Sequence, residues 1–414
     1  MPVEALQCKE CHAQYPLDAR YVCDRCFGPL EVKYDYSELD PEGARRKIQA
    51  GPRSIWRYSD FLPFETRPPA PLTTGTTPLL KADRLAEWLG LREVYVKNDA
   101  ANPTHSFKDR VVTVALAKAR ELGFEIVACP STGNLANAVA AHAAANGLKS
   151  FVFIPSDLEE QKVLATGVYG TTLVKVHGSY DDVNRLCMEL AAERENWAFV
   201  NVNVRPYYAE GSKTLGYEIA EQLAFTLPDR VVVPIASGSL FTKIARGFQE
   251  WQEVGLIADA DKQPVFNGAQ GAGCAPVATA FEEGWDICKP VKPTGIAKSL
   301  AIGNPADGPY ALELARKSGG SVESVTDEEI RDGIRLLAET TGVFTETAGG
   351  TTTAVLRKLA ERGEIDRDER VVLVITGEGL KTLDAVRDTF EVHEIDPSTD
   401  AFEAIEAAAL TSRR

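Results

Sequence analysis

No apolar run in this chain is long enough to span a bilayer, so a membrane-spanning protein is not expected. The first residues, Met-Pro-Val-Glu-Ala-Leu-Gln-Cys, lack a basic stretch followed by an apolar one, so no secretory leader is expected and the reading is a reduced, cytoplasmic protein. Basic residues are also in short supply. Lys and Arg number 45 against 60 Asp and Glu, a net charge of −15, which argues against general binding to nucleic acid or anionic lipid. Any phosphate-bearing ligand must then be captured by local groups against the global field. There is no internal repeat and no disorder-type bias: hydrophobic residues make up 44% and charged residues 25%. Neither G-x-G-x-x-G nor G-x-x-x-x-G-K-[ST] occurs at a strand-to-helix turn, which removes a nicotinamide site of the usual kind and a P-loop nucleotidase.

What is present starts with cysteine. Of eight, Cys129, Cys187, Cys274 and Cys288 are scattered and read as ordinary thiols of the interior. Cys8, Cys11, Cys23 and Cys26 form two Cys-x-x-Cys knuckles eleven residues apart. In a reducing compartment such a set reads as metal-binding, and four thiolates suit tetrahedral Zn²⁺. The competing reading is a metal-free or redox-active remnant. The unit, residues 1–36, is too small for a core of its own, so a metal would supply much of its folding energy. Lys9, Arg20, Arg25 and Lys33 are outnumbered there by Glu4, Glu10, Asp18, Asp24, Glu31 and Asp35, so it is no basic patch, and a structural role is preferred to nucleic-acid binding.

At 414 residues the chain exceeds one ordinary core, and two or three domains are expected. The stretch 63–71 is rich in proline and reads as an extended arm. Beyond residue 73, short apolar runs at 126–130, 151–155, 172–176, 231–235 and 371–375 alternate with helical patterns such as 134–146. That alternation predicts an α/β fold with parallel sheets covered on both faces. Ligands of such folds bind at the C-terminal ends of strands, so the loops after the runs carry the interest.

Four of these loops stand out. Asn-Pro-Thr-His-Ser-Phe-Lys-Asp-Arg (102–110) puts Lys108 at the opening of a helix, where the dipole disfavours its charge. A neutral amine is what Schiff-base chemistry requires. Ser-Thr-Gly-Asn-Leu-Ala (131–136) offers hydroxyls and N–H groups at a helix start, or merely caps it. Pro-Ile-Ala-Ser-Gly-Ser-Leu-Phe-Thr-Lys (234–243) is a small-residue turn entering a helix, able to cradle a phosphate. Thr-Gly-Glu-Gly-Leu-Lys (376–381) places Thr376 where a strand ends at the crevice.

Taken together, from about Thr73 to Glu391, these segments resemble the fold type II enzymes that use pyridoxal 5'-phosphate (PLP), and among them the threonine synthases. Ala-Ile-Gly-Asn-Pro-Ala (301–306) strengthens the likeness, and some members carry a zinc-ribbon-like N-terminus. The resemblance implies a tryptophan-synthase-β-like α/β fold: two α/β domains with twisted parallel sheets, plus the small ribbon. The expected divisions are 1–36 (zinc-ribbon-like), 37–74 (extended arm), 75–205 (N-terminal catalytic domain), 206–395 (PLP-phosphate-binding domain) and 396–414 (C-terminal helix or tail). It implies that Lys108 holds PLP as a Schiff base and acts as the general base. Asn134 would hydrogen-bond the 3'-oxygen, the backbone of Ser237, Gly238, Ser239, Leu240 and Phe241 the phosphate, and Thr376 the ring nitrogen. A hydroxyl at that nitrogen makes a weaker electron sink than a carboxylate, which suits elimination over transamination. The implied reaction converts O-phospho-L-homoserine and water to L-threonine and phosphate, and the resemblance implies a homodimer. Ser131 and Thr132 are candidate substrate contacts. Lys213 is a weaker one, better read as a solvated lysine at a helix start.

Two departures are visible. Many threonine synthases carry an arginine where Tyr208 stands here, while Arg205, three residues earlier, is placed to meet the substrate phosphate bidentately. Glu378 occupies a position where histidine is common. The nearest rival is cysteate synthase, acting on O-phosphoserine with sulfite. A threonine or serine dehydratase or a non-catalytic PLP- or zinc-binding protein fits less well, given Lys108, Asn134 and Thr376 together.

Overall fold

A computed structural model describes residues 2–411 apart from 65–67, 132, 157, 159 and 179. Its N-terminal unit is a three-stranded antiparallel sheet of β1 (Val3–Cys8), β2 (Gln14–Tyr15) and β3 (Leu30–Tyr34), in the order β2-β1-β3. Alternation puts Leu6, Cys8, Leu30 and Val32 on one face, where they join the main core of the molecule. The ribbon is therefore docked, not tethered.

Residues 37–74 are not the extended arm expected. Asp40 accepts the N–H groups of Glu42 and Gly43 at 3.2 and 2.8 Å and so caps a helix, Pro41–Ala50, with proline at the first position where it lacks no partner. A short 3₁₀ segment, Ile55–Phe61, then buries Ile55, Trp56, Tyr58 and Phe61. Tyr58 and Phe61 pack on Tyr217 and Trp251, with ring centroids 5.4–6.0 Å apart. The helix and the 3₁₀ segment precede the proline-rich stretch 63–71, whose described residues form no helix or strand and of which 65–67 lie outside the described residues.

The remaining strands are β4 (Leu79–Lys81), β5 (Glu93–Asn98), β6 (Ile126–Pro130), β7 (Lys149–Pro155), β8 (Thr172–Val176), β9 (Trp197–Phe199), β10 (Arg230–Pro234), β11 (Val265–Gly271), β12 (Val322–Val325) and β13 (Arg370–Ile375). They form a parallel sheet β8-β7-β6-β9 and a six-stranded sheet β12-β11-β10-β13-β5-β4, parallel except for β4 at its edge. Val231, Val232 and Val233 are all fully buried, as are Val371 to Ile375, because helices cover both faces. β5 pairs with β13 from Arg370↔Glu93 to Ile375↔Asn98, so the chain leaves the larger sheet for the smaller and returns, crossing the division expected between 205 and 206.

This order positions the site. β10, β13 and β5 are parallel neighbours, so the segments leaving their C-terminal ends emerge along one edge of the sheet. Those segments are 235–241, 376–381 and the loop that leads to the helix Lys108–Glu121. The 131–136 turn follows β6 in the smaller sheet. No helix among the described residues is long and apolar enough to cross a membrane.

Candidate active site

Lys108 is the first residue of its helix, and the two residues after it anchor it. Asp109 is fully buried; one carboxylate oxygen accepts from the N–H and hydroxyl of Thr104 at 2.8 and 3.0 Å, and the other lies 2.8 Å from His142 Nε2. Arg110 is fully buried too. It pairs bidentately with Asp99, at 2.7 and 2.8 Å, and reaches Glu218 at 2.9 and 3.1 Å. Lys97 completes this cluster, 2.6 Å from Glu218. Burial alone would push the Glu218 carboxyl up, but Arg110 and Lys97 outweigh it and hold it well below the usual carboxylate range. The tripeptide Lys-Asp-Arg thus has a structural logic: two buried ionic anchors hold a half-buried lysine.

Lys108 Nζ donates to the hydroxyl of Tyr208 at 2.9 Å. Tyr208 lies on the helix Arg205–Gln222, one turn after Arg205. Sequence reasoning noticed Tyr208 only as a missing arginine; its contact with Lys108 spans 100 residues and left no local signal.

The 376–381 turn folds onto the Lys108 loop. Thr376, 6% exposed, accepts the Phe107 N–H through its carbonyl at 2.8 Å. Ser106 bridges Gly377, and Glu378 N donates to the His105 carbonyl at 3.2 Å. The Glu378 carboxylate also lies 3.6 Å from His105 Nδ1, which gives that departure from the family pattern a local partner. Lys381 Nζ donates to the Thr104 carbonyl at 2.6 Å and to Asn134 Oδ1 at 2.8 Å. Asn134 Nδ2 donates to both oxygens of Glu346, at 3.0 and 3.1 Å. Glu346 and the role of Lys381 were not singled out from sequence. Glu346 is 2% exposed, and burial pushes its carboxyl up against the pull of Lys381. Burial likewise lowers Lys381, with Glu346 opposing.

Of the 131–136 residues, Thr132 lies outside the described residues. Ser131 is buried and its hydroxyl accepts from Gly133 N at 3.2 Å and Ala136 N at 3.0 Å, so it caps the Asn134 helix.

At 237–241 the helix Ser239–Glu253 opens at Gly238, which has no side chain to cap it; Ser237 Oγ accepts the Ser239 N–H at 3.4 Å, and the N–H groups that follow have no acceptor within the helix. Gly238 has φ +96°, and a side-chain carbon there would lie 2.6 Å from the Asp307 carbonyl oxygen, so only glycine fits. The Asp307 N–H in turn donates to the Ser237 carbonyl at 2.8 Å. Arg205 reaches the same place: its Nη2 is 2.8 Å from Asp307 Oδ2. An uncapped helix start with a glycine turn is a fitting cradle for a phosphate group. With an amine at Lys108, an amide at Asn134 and a hydroxyl residue at Thr376, the residues present fit PLP.

Lys213 takes neither role considered for it. It is 1% exposed and lies 2.5 Å from Glu210 and 3.1 Å from Glu250, so it is a buried ion-pair partner rather than a solvated lysine.

The four N-terminal cysteines converge, with all Sγ atoms within 4.8 Å of one another. Each knuckle is closed by a residue in the left-handed region: His12 donates to the Cys8 carbonyl at 3.1 Å and Phe27 to the Cys23 carbonyl at 3.0 Å, both with φ +59°. Backbone N–H groups of Glu10 and Arg25 point at the Cys8 and Cys23 sulfurs, at 3.4 and 3.3 Å. Four sulfurs at this spacing fit a tetrahedral ion. The unit touches helices that carry the site. Tyr207 donates to the Asp18 carbonyl at 2.9 Å, and Lys243 lies 2.9 Å from Glu31. Burial pushes the Glu31 carboxyl up, but Lys243 and Lys9 outweigh it and hold it at about 2.

Residues 71–377 match the protein family described as pyridoxal-phosphate dependent enzyme. The chain is 40% identical over 383 residues to a threonine synthase of Methanocaldococcus jannaschii, covering 92% of this chain and 93% of that one. It is 40% identical over 400 residues to a threonine synthase of Methanosarcina acetivorans, covering 96% and 97%. Among solved structures, threonine deaminase isoform 2 of Solanum lycopersicum shares the fold with a TM-score of 0.62, at 19% identity, over 95% of this chain and 98% of that one. O-ureido-L-serine synthase shares it with a TM-score of 0.63, at 21% identity, over 80% and 96%.

Proposed function

From the premise that the chain belongs to the pyridoxal-phosphate dependent enzymes and, within them, to the threonine synthase family, we propose that it converts O-phospho-L-homoserine and water to L-threonine and phosphate. The observation that carries the reading is Lys108 at its helix start, held by buried Asp109 and Arg110 and facing Tyr208.

When bound, PLP supplies an electron-accepting ring that draws off the charge left as a C–H bond beside the substrate amine breaks. The backbone N–H groups of the turn Ser237–Phe241 would hold its phosphate, Thr376 would meet the ring nitrogen and Asn134 the 3'-oxygen. Lys108 would be the amine that anchors the cofactor and, with its amine free, would take and return protons at Cα and Cβ. Tyr208 Oη accepts a hydrogen bond from Nζ, which keeps the amine aimed and gives it a partner when it carries the extra proton. Phosphate would leave Cγ with the C–O electron pair as the Cβ proton is lost, Cγ would then take up a proton, and water would add at Cβ as Cα regains its proton.

Arg205 recognises the substrate phosphate by exchanging Asp307 for it; its support is a guanidinium one helical turn from Tyr208, with a single carboxylate as partner. Ser131 retains a hydroxyl hydrogen to donate to a substrate anion, with Thr132 beside it in sequence. The cysteine cluster holds a structural Zn²⁺, supported by the donor set and the paired knuckles. The enzyme works as a homodimer; Leu380, Phe390, Val392 and Phe402 expose 53–76% of their surface, apolar area that a second copy would cover. It works in a reducing, cytoplasmic compartment, which keeps the thiols free for metal.

The test is to mix PLP-loaded protein with O-phospho-L-homoserine and measure threonine and phosphate together. Equal release of both, abolished by Lys108→Ala, is expected. Turnover of O-phosphoserine with sulfite, and none of O-phospho-L-homoserine, would overturn the substrate assignment in favour of cysteate synthesis.

A further inference from the structure

Asn134 is gripped at both ends of its amide. Oδ1 accepts from Lys381 Nζ at 2.8 Å, and Nδ2 lies almost equidistant from the two oxygens of Glu346, at 3.0 and 3.1 Å. The two faces of an amide are nearly the same shape, so packing alone does not decide which way it points; the donors and acceptors around it do. Here both neighbours vote the same way. An ammonium cannot accept from Nδ2, and a carboxylate cannot donate to Oδ1.

The grip is itself held from behind. Lys381 is tied to the Thr104 carbonyl at 2.6 Å, in the loop before Lys108. Glu346 N donates to the Gly377 carbonyl at 3.1 Å, beside Thr376. At Gly377 a side-chain carbon would lie 2.4 Å from Glu346 Oε1, so the carboxylate reaches Asn134 only because residue 377 is glycine. Thr345 adds its hydroxyl to the same carbonyl at 3.0 Å. Four separate stretches, 102–110, 131–136, 345–350 and 376–381, therefore meet at one amide.

We propose that Lys381 and Glu346 are positioning residues that fix the rotation of the Asn134 amide, so that the cofactor's 3'-oxygen meets an N–H and never a carbonyl oxygen. A carboxylate sitting symmetrically on Nδ2 is satisfied by one shared hydrogen, and the second remains for the cofactor. With the amide reversed, the 3'-oxygen would face Oδ1, two acceptors with nothing between them. The inference rests on the reading of Asn134 as the partner of that oxygen.

A hydrogen bond to a charged oxygen carries a factor of about 10 to 100 in affinity. The measurement is the equilibrium titration of cofactor-free protein with PLP, alongside the visible absorption spectrum of the bound form. The double variant K381M/E346Q removes the ammonium and the carboxylate together, so no buried charge is left unpaired and folding is spared. Its glutamine can donate or accept, so the bias on the amide is gone. It is expected to bind PLP about tenfold more weakly and to lose part of its visible band to the near-ultraviolet, as does N134A. K381R, which restores a donor to Oδ1 and to Thr104, is expected to recover most of both. Parental affinity and spectrum in K381M/E346Q, with N134A impaired, would overturn the clamp and leave the role of Asn134 intact. A parental N134A would overturn that role and the clamp with it.

Discussion

Removing the Glu218 charge is the sharpest test of how Lys108 is held. Lys97 and Arg110 bring two positive charges to a site where none of the four side chains is more than 1% exposed, and Asp99 and Glu218 bring two negative ones. Glu218→Gln keeps the shape and leaves one cation in excess. Breaking one partner of a buried pair in this way costs about 3–5 kcal/mol. Lys97→Met leaves the opposite excess and a cost of the same order. The double variant K97M/E218Q keeps the bidentate Arg110–Asp99 pair and a balanced charge. Its cost should fall short of the sum of the single ones by about 2 kcal/mol, a coupling typical of groups in one network. Urea unfolding followed by tryptophan fluorescence reads the three differences, and PLP retention along the same titration reports whether Lys108 stays in place. The pH dependence has a definite sign. The folded-state carboxyl of Glu218 is depressed, so its contribution is complete above the unfolded value near 4.3 and is lost only as pH falls through the lower folded value. The gap between parent and E218Q should thus hold steady from neutral to about pH 5 and close only in stronger acid. Additive costs, or single costs below about 0.5 kcal/mol, would refute the reasoning.

Tyr208→Phe deletes the partner of Lys108 Nζ while keeping the ring, so kcat should fall by about tenfold or more with a displaced pH profile; an unchanged profile would exclude a role at the amine. Arg205→Leu should raise KM for O-phospho-L-homoserine by about tenfold or more, and an unchanged KM would leave Arg205 only its pair with Asp307. Purified protein should carry one zinc per chain, lost in Cys23→Ser together with the compactness of residues 1–36; a folded ribbon without metal in elemental analysis would count against the assignment.

The sequence by itself determined whatever is written in adjacent residues. Each buried parallel strand is a short run of Val, Ile and their like, and the turn after it carries its own chemistry. So 126–130, 371–375 and the turns at 131, 235 and 376 were legible, as was the convergence of thiols from two knuckles. Local signals also erred locally: 37–74, expected as an extended arm, holds the helix Pro41–Ala50, and Lys213 was taken for a solvated residue because its partners Glu210 and Glu250 are met only after folding. Tertiary structure alone decided who meets whom. Tyr208 lies 100 residues from Lys108, Glu346 lies 212 from Asn134, Lys381 lies 247 from it, and Asp307 lies 102 from Arg205. Those meetings join the two sheets: Asn134 follows β6, and Arg205 and Tyr208 follow β9, in the smaller sheet, while Lys108 follows β5 and Lys381 follows β13 in the larger. Strand order is a property of packed faces and crossover connections, and no stretch of sequence encodes it alone.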